Sequence, residues 1–215
     1  MPSPTDPFVT GLVLGAGGSQ RLGRPKQLLP YRDSTLLGHV VRVARECSFD
    51  QLVVAIGGSA DQVRASVDLA GAEVAVNDAY GEGCSSSIAA ALGVLDPRCD
   101  LMVLMLGDQP GVTVASVAAL VAGRGDAPLA ICRYEDGRGH PIAFARNTFT
   151  ALADLHGDKG VWRLLEQRAG DVAEVPVAGG IPLDVDTPED YAAVLAEDLV
   201  RCSPDHRSGS APTPA

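Results

Sequence analysis

Aromatic residues and basic charge are both scarce in this sequence. Aromatics make up 4% of its 215 residues, so aliphatic side chains must form most of the core. Lys and Arg number 17 against 27 Asp and Glu, which gives a formal net charge of −10. This balance argues against nucleic acid as a partner, because no basic stripe competes with the acidic field. A phosphate site would have to be locally basic within acidic surroundings.

Long apolar runs and paired cysteines are also missing. No run approaches the roughly 20 residues that span a bilayer, and no secretory signal is visible. The five cysteines are scattered without a CxxC pair. We therefore expect a cytoplasmic protein with reduced thiols and no membrane partner.

Strand-like and helix-like segments alternate along the chain. Apolar segments of strand length lie at 8–14, 51–56, 72–77, 100–108, 127–134, 139–145 and 172–177. Segments of helical spacing lie at 35–47, 59–70, 85–95, 113–123, 148–155, 159–168 and 187–200. Such alternation predicts βαβ units and a Rossmann-like α/β fold, with a mostly parallel central sheet and helices on both faces.

The domain boundaries follow from composition. No linker interrupts the middle of the chain, so we expect one domain over residues 8–200. Residues 1–7 and 201–215 are rich in Pro and Ser and are predicted to be flexible tails.

The segment Leu14–Pro30, LGAGGSQRLGRPKQLLP, is a glycine-rich loop after the first predicted strand. It fails the dinucleotide fingerprint G-x-G-x-x-G, because Gln20 stands where the third glycine belongs. It also fails the Walker A pattern, because Arg24 and Pro25 follow Gly23. The two commonest phosphate loops are therefore excluded.

The loop can nevertheless bind an anion. Its glycines at 15, 17 and 18 would let successive backbone N–H groups converge on a phosphate. Arg21 and Lys26 add the local positive charge that a triphosphate and its leaving pyrophosphate require. The alternative is a glycine-rich βα turn with exposed basic residues.

Three aspartates are candidate metal ligands. Asp108 ends the segment 100–108, just after its apolar run, and the carboxyl ends of parallel strands form the ligand crevice. Asp184 and Asp186 are two residues apart, so they share one face of an extended segment. Mg²⁺ takes one or two carboxylates together with substrate phosphates. The alternatives are a turn at Asp108 and a helix start at Asp186-Thr187-Pro188-Glu189.

The glycine-rich loop resembles the nucleotidyltransferase signature L-A-A-G-x-S-x-R-M-G-x-x-K, with Gly15 and Leu22 in place of Ala and Met. It is most similar to the branch of molybdenum cofactor cytidylyltransferases and guanylyltransferases, and the similarity runs from about Val9 to Leu195. The resemblance implies a three-layer α/β/α nucleotidyltransferase fold and Mg²⁺ as cofactor. It places Asp108 and Asp186 as metal ligands, with Asp184 as a further ligand or a supporting group.

The resemblance also implies a set of nucleotide-binding residues. The segment NDAYGEGCSSSIAAAL resembles N-x-x-[YW]-x-x-G-x-x-x-S, in which a serine at the position of Ser87 contacts the base; alternatively, Ser85–Ser87 cap a helix. We expect Cys84 to be packed rather than reactive. The predicted nucleotide-binding residues are Leu14, Gly15, Ala16, Gly17, Gly18, Ser19, Arg21, Lys26, Gly83 and Ser87.

Two later segments also resemble elements of the family, and the first of them would lie near the acceptor. Gly139-His140-Pro141 resembles the family's G-H-P element, where His140 would bind the acceptor; the alternative is a structural histidine in a turn. The segment HGDKGVWRLL resembles G-D-x-G-A-R, but Val161 and Trp162 replace the small residue and shift the arginine. Asp158 would then simply cap the helix that follows.

The activity that the resemblance implies is transfer of a nucleoside monophosphate to molybdopterin, with release of pyrophosphate. Arg21, Lys26 and Asp108 would carry the chemistry. CTP is favoured over GTP, because Gln27 stands where the guanylyl branch usually has a glycine. A molybdoenzyme apoprotein or its chaperone would receive the product. The alternatives are guanylyl transfer to the same cofactor, nucleotidyl transfer to a sugar or alcohol phosphate, and a non-catalytic cofactor carrier.

Overall fold

The computed structural model describes residues 6–19 and 21–202; Gln20 and most of the two predicted tails lie outside the described residues. The strands are β1 (Val9–Gly15), β2 (Pro30–Tyr31), β3 (Ser34–Thr35), β4 (Gln51–Ile56), β5 (Glu73–Val76), β6 (Leu101–Leu106), β7 (Leu129–Tyr134), β8 (Gly137–Ala145) and β9 (Val172–Pro176). The α-helices are α1 (Leu36–Glu46), α2 (Ala60–Ser66), α3 (Cys84–Leu92), α4 (Val114–Gly123), α5 (Phe149–Ala153), α6 (Gly160–Gln167) and α7 (Pro188–Cys202). Every predicted strand and helix is present, and the small β2–β3 hairpin is an addition.

Seven strands form one sheet in the order β5-β4-β1-β6-β8-β7-β9. The predicted mostly parallel sheet is confirmed, with β6 near its centre. Strand β8 is the exception and runs antiparallel to both β6 and β7. Only Glu135 and Asp136 separate β7 from β8, and a two-residue connection can only return the chain as a hairpin.

Side-chain alternation along the strands builds a core on each face of the sheet. In β1, Val9 and Val13 pack with α1, α2 and α4, whereas Leu12 packs with α3, α5 and α6 on the other face. The architecture therefore has the three layers expected for an α/β/α fold. Across residues 6–19 and 21–202, no helix is both long enough and apolar enough to cross a membrane.

Helix α7 and the segment before it belong to a third, smaller cluster. Val185 and Val194 pack there against Leu29, Tyr31 and Leu36. The start of α7 is fixed by a reciprocal pair of hydrogen bonds: Thr187 Oγ1 accepts from the Asp190 backbone N–H, and Asp190 Oδ2 accepts from the Thr187 N–H. This packing brings residues 182–186 beside the glycine-rich loop. Helix α7 thus begins where predicted, but its capping pair is Thr187 and Asp190, and the Asp186 carboxylate accepts hydrogen bonds from Lys26 and Arg21 instead.

Candidate active site

The predicted site residues lie together in one cleft at the carboxyl end of the sheet, beyond β1 and β6. Its volume is about 590 Å³, which suits a small-molecule ligand. The cleft is lined by all of the predicted residues: Leu14, Gly15, Ala16, Gly17, Gly18, Ser19, Arg21, Lys26, Gly83, Ser87, Asp108, His140, Asp184 and Asp186. The fold therefore brings together residues that lie as far as 172 positions apart in the chain, from Leu14 to Asp186.

Gln27 holds the glycine-rich loop in shape. Its buried side chain donates from Nε2 to the carbonyl oxygens of Gly15 (2.8 Å) and Gly17 (2.7 Å). Ser19 Oγ, close to Gln27 Oε1, accepts a 2.8 Å hydrogen bond from the Lys26 backbone N–H. One amide thus fixes the start of the loop and a serine fixes its end. Sequence reasoning used Gln27 only to compare two branches of a family and missed this role.

Glycines admit close packing around the loop. A Cβ on Gly15 would lie 2.9 Å from the Leu37 side chain, and one on Gly107 would lie 2.7 Å from the same leucine. A Cβ on Gly58 would lie 2.7 Å from the ring of Tyr80. A side chain at Gly15 would therefore displace Leu37 of α1, so packing favours glycine there, as would any contact of its backbone with a ligand. Tyr80 forms a wall of the cleft that the sequence did not assign.

Lys26 is the centre of the charged end of the cleft. Its Nζ lies 2.5 Å from Asp108 Oδ2 and 2.7 Å from Asp186 Oδ1. Burial alone lowers the pKa of Lys26, but the charge of Asp108 and the hydrogen bonds to both aspartates outweigh it and raise that pKa above its usual value. The ammonium is therefore charged at neutral pH. Arg21 approaches Asp186 at 3.5 Å and its side chain is 70% exposed, which leaves it accessible to a ligand.

Asp184 and Asp186 both line the cleft, but they do not share a strand. They lie in an irregular extended segment, and Asp184 accepts a short hydrogen bond from Gln109 Nε2. Gln109 is buried and also donates to the carbonyl of Pro182, so it ties this segment to the turn after β6. Burial, followed by the charges of Asp108 and Asp186, raises the pKa of Asp184.

The donor set fits a divalent cation that shares its shell with phosphate. Asp108 and Asp186 already direct one oxygen each at a single positive centre, the Lys26 ammonium. Carboxylate oxygens are the ligands that Mg²⁺ and Mn²⁺ prefer. Among the described residues, however, no cluster of three or more His, Cys, Asp and Glu could hold a metal by itself. Oxygens from a ligand would have to complete the coordination.

The opposite end of the cleft is apolar. Leu104, Val161 and Trp162 line it together with His140, whose imidazole meets the Trp162 ring edge-on at 6.1 Å between centroids. Burial lowers the pKa of His140 to about 4, so the ring is neutral at pH 7. Cys84 packs against this face as expected, and burial raises its pKa to about 11.

The predicted serine cap of α3 is wrong. The helix follows Gly83, and no serine side chain caps it. Ser85 Oγ donates to the carbonyl of Gly157 at 2.6 Å, and Ser87 Oγ is 2.9 Å from Asn77 Nδ2. These hydroxyls tie α3 to neighbouring segments instead of its own first turn.

The predicted role of Asp158 is also wrong. Asp158 Oδ1 accepts a 3.0 Å hydrogen bond from the backbone N–H of Cys84, at the start of α3. Helix α6, which follows Asp158 in the chain, has no side-chain cap at its N-terminus. A carboxylate 74 residues away in sequence therefore satisfies the first free donor of α3.

Comparison with known proteins agrees with this geometry. The family model of the MobA-like NTP transferase domain matches residues 11–172. The chain is 30% identical over 171 residues to nicotine blue oxidoreductase of Paenarthrobacter nicotinovorans, covering 75% of this chain and 83% of that protein.

Two solved structures are similar over almost their whole length. The homologue of Mycobacterium tuberculosis Rv0371c from Mycobacterium sp. strain JC1 is 52% identical, with a TM-score of 0.86, covering 91% of this chain and 98% of that one. Rv0371c of M. tuberculosis H37Rv in complex with manganese is 46% identical, with a TM-score of 0.79, covering 88% and 98%.

Proposed function

Since this chain belongs to the family of MobA-like NTP transferase domains and is a nucleotidyltransferase, we propose that it transfers CMP from CTP to molybdopterin. An oxygen of the molybdopterin phosphate attacks the α-phosphorus of CTP in line. The bond from that phosphorus to the bridging oxygen breaks, and pyrophosphate leaves with the electron pair. The convergence of Lys26, Asp108 and Asp186 beside a glycine-rich loop is the observation that carries this proposal.

The charged end of the cleft would hold the triphosphate. The glycine-rich loop supplies backbone N–H groups, and Gln27 holds those groups in place before a ligand arrives. Lys26 and Arg21 provide positive charge where pyrophosphate develops its negative charge. No general base is needed, because a phosphate monoester is already ionised near neutral pH.

Asp108 and Asp186 would hold a divalent metal ion, and we propose Mg²⁺. When bound, the metal neutralises negative charge shared by the nucleotide and the acceptor phosphate. The manganese in the related Rv0371c structure supports a divalent ion. Asp184 would support the two ligands, because Gln109 already occupies one of its oxygens.

The neutral end of the cleft would receive the base and the pterin. Gly83 and Ser87 lie at the start of α3, where the resemblance places the base. His140 and Trp162 offer an apolar wall to a flat ring system. Because His140 is neutral at pH 7, it would bind the acceptor by hydrogen bonding or packing and not as a cation.

The preference for CTP over GTP rests on the resemblance to the cytidylyl branch. Gln27 is one of the residues behind that preference, and its buried side chain contacts the loop backbone. Its effect on the choice of base would therefore act through the shape of the loop.

The test is pyrophosphate release by the purified protein with Mg²⁺, the molybdenum-loaded pterin and each of the four NTPs in turn. We expect release with CTP and a cytidine dinucleotide of the cofactor detectable by mass spectrometry. Pyrophosphate release with GTP alone would overturn the assignment of CTP as the donor. Binding of the cofactor without pyrophosphate release would favour a non-catalytic carrier. Because one relative is named an oxidoreductase, oxidation of NADH and NADPH is followed in parallel. Oxidation of either nucleotide without pyrophosphate release would contradict the proposal.

A further inference from the structure

Two segments that line the cleft, which the proposed function assigns to the nucleotide and to the acceptor, are joined at one contact area. The nucleotide-side segment, residues 83–87, precedes and opens α3. The acceptor-side segment, residues 157–162, precedes and opens α6. We call the contact between them the α3–α6 junction. Both segments contribute residues to the cleft, so the junction sets the distance between its two sides.

Side-chain hydrogen bonds hold the junction from both directions. Ser85, which is buried, donates from Oγ to the Gly157 carbonyl at 2.6 Å. Asp158 Oδ1 accepts from the Cys84 backbone N–H at 3.0 Å. Each segment thus supplies one side chain to the backbone of the other.

Glycines make this approach possible. A Cβ on Gly83 would lie 2.8 Å from the backbone of Gly157, and the φ angle of Gly83 is +99°. A Cβ on Gly160 would lie 2.5 Å from Ser85 Oγ. The close contact of Gly83 is with backbone, so a side chain there would force one segment away from the other. A side chain at Gly160 would instead displace the Ser85 hydroxyl that donates to Gly157.

We infer that Ser85 and Asp158 are positioning residues that lock the nucleotide-side segment to the acceptor-side segment, so that the two substrates meet in register. Under the proposed function, on which this role rests, the acceptor phosphate must lie in line with the α-phosphorus. A misplacement of about 1 Å can cost on the order of 10²-fold in rate. A fixed junction holds that geometry without contact between either side chain and the reacting atoms.

The kinetic test compares Ser85→Ala, Asp158→Ala and the double variant. We expect each single variant to lower kcat about tenfold while KM for each substrate changes less than about twofold, because alignment is lost and binding is not. The double variant should be no slower than the worse single variant, since both bonds serve one junction. Asp158→Asn keeps an acceptor oxygen and should restore most of kcat.

Thr113→Ala is the matched control. Thr113 caps α4 through a 3.1 Å hydrogen bond from the Ser116 N–H, on the opposite face of the sheet. Its loss should lower the melting temperature and leave kcat unchanged. If the junction variants behave like this control, or raise KM with kcat unchanged, the positioning role is overturned.

Amide hydrogen exchange tests the junction independently of the reaction. In the protein without substrates, Asp158→Ala should speed exchange of peptides covering both 83–87 and 157–162, whereas Thr113→Ala should not. Absence of this paired change would overturn the junction even if transfer occurs. If the paired change appears but no nucleotide supports transfer, the proposed function fails and the positioning role falls with it, while the structural lock remains.

Discussion

The two ends of the cleft differ in whether their side chains are charged. At one end, Asp108 and Asp186 surround Lys26, and Arg21 stands exposed beside them. At the other end, burial keeps His140 neutral against an apolar wall. Under the proposed function, charge is concentrated where the phosphates would react, whereas shape and packing would recognise the uncharged parts of the ligands. Variants can alter one end of the cleft at a time.

The largest effect is expected at the charged end, from Asp108→Ala. Loss of this carboxylate removes one proposed metal ligand and one partner of Lys26, so kcat/KM should fall about 10³-fold, or ~4 kcal/mol of transition-state stabilisation. The free energy of unfolding should change by less than about 2 kcal/mol, because Lys26 keeps Asp186. Steady-state pyrophosphate release and thermal unfolding measure the two quantities.

Asp126→Ala is the control for that experiment, because Asp126 is an exposed aspartate outside the cleft. It should leave kcat/KM unchanged. An Asp108→Ala protein that keeps most of its activity would show that the charged cluster is not the metal site.

The apolar end predicts a loss of stability in acid. The pKa of His140 is 6.5 in an unfolded chain and about 4 in the buried site. Between pH 4 and pH 6.5 the unfolded state therefore binds a proton that the folded state does not bind. The free energy of unfolding should therefore fall by about 3 kcal/mol from this group as pH drops through this range, and His140 should add almost no slope above about pH 7.5.

Chemical denaturation of the wild type and His140→Gln across that pH range checks this effect. His39 has a pKa lowered to about 4 as well, so the variant should keep part of the acid slope. A His140→Gln protein with an unchanged slope would show that the imidazole is not held neutral by its site.

The smallest effect is expected from Gln27→Ala, at the loop that borders the charged end. The variant leaves the carbonyls of Gly15 and Gly17 without this donor, which should cost about 2 kcal/mol of stability and raise KM for the nucleotide several-fold. Gln51 offers a matched control. Its side-chain amide donates a 3.0 Å hydrogen bond to the Val94 carbonyl, and it does not line the cleft. Gln51→Ala should lose similar stability at unchanged KM; equal KM values for both variants would contradict a special role of Gln27.

Features with a local signal were predictable from the sequence. The strands and helices follow from apolar periodicity, and the placement of Asp108 in the cleft follows from the rule for the carboxyl ends of parallel strands. The capping pair at Thr187 and Asp190 is also local, since its two members are three residues apart. In each case the physical cause lies within one segment.

Features that depend on contacts between distant segments were not predictable in this way. Asp158 has a plausible local role at α6, but the fold places it at the start of α3, where an unsatisfied N–H is available. Nothing in the sequence around Gln27 indicates that its amide donates to the carbonyls of Gly15 and Gly17. The direction of β8 depends on the short connection after Tyr134, which the strand patterns alone do not reveal.

The place of Trp162 has a practical consequence. It is the single tryptophan of the chain, and it lies in the wall of the cleft beside the neutral His140 ring. All indole emission therefore comes from one position at the neutral end. The protein carries its own optical probe there, and ligand entry can be followed by fluorescence titration without attaching a label.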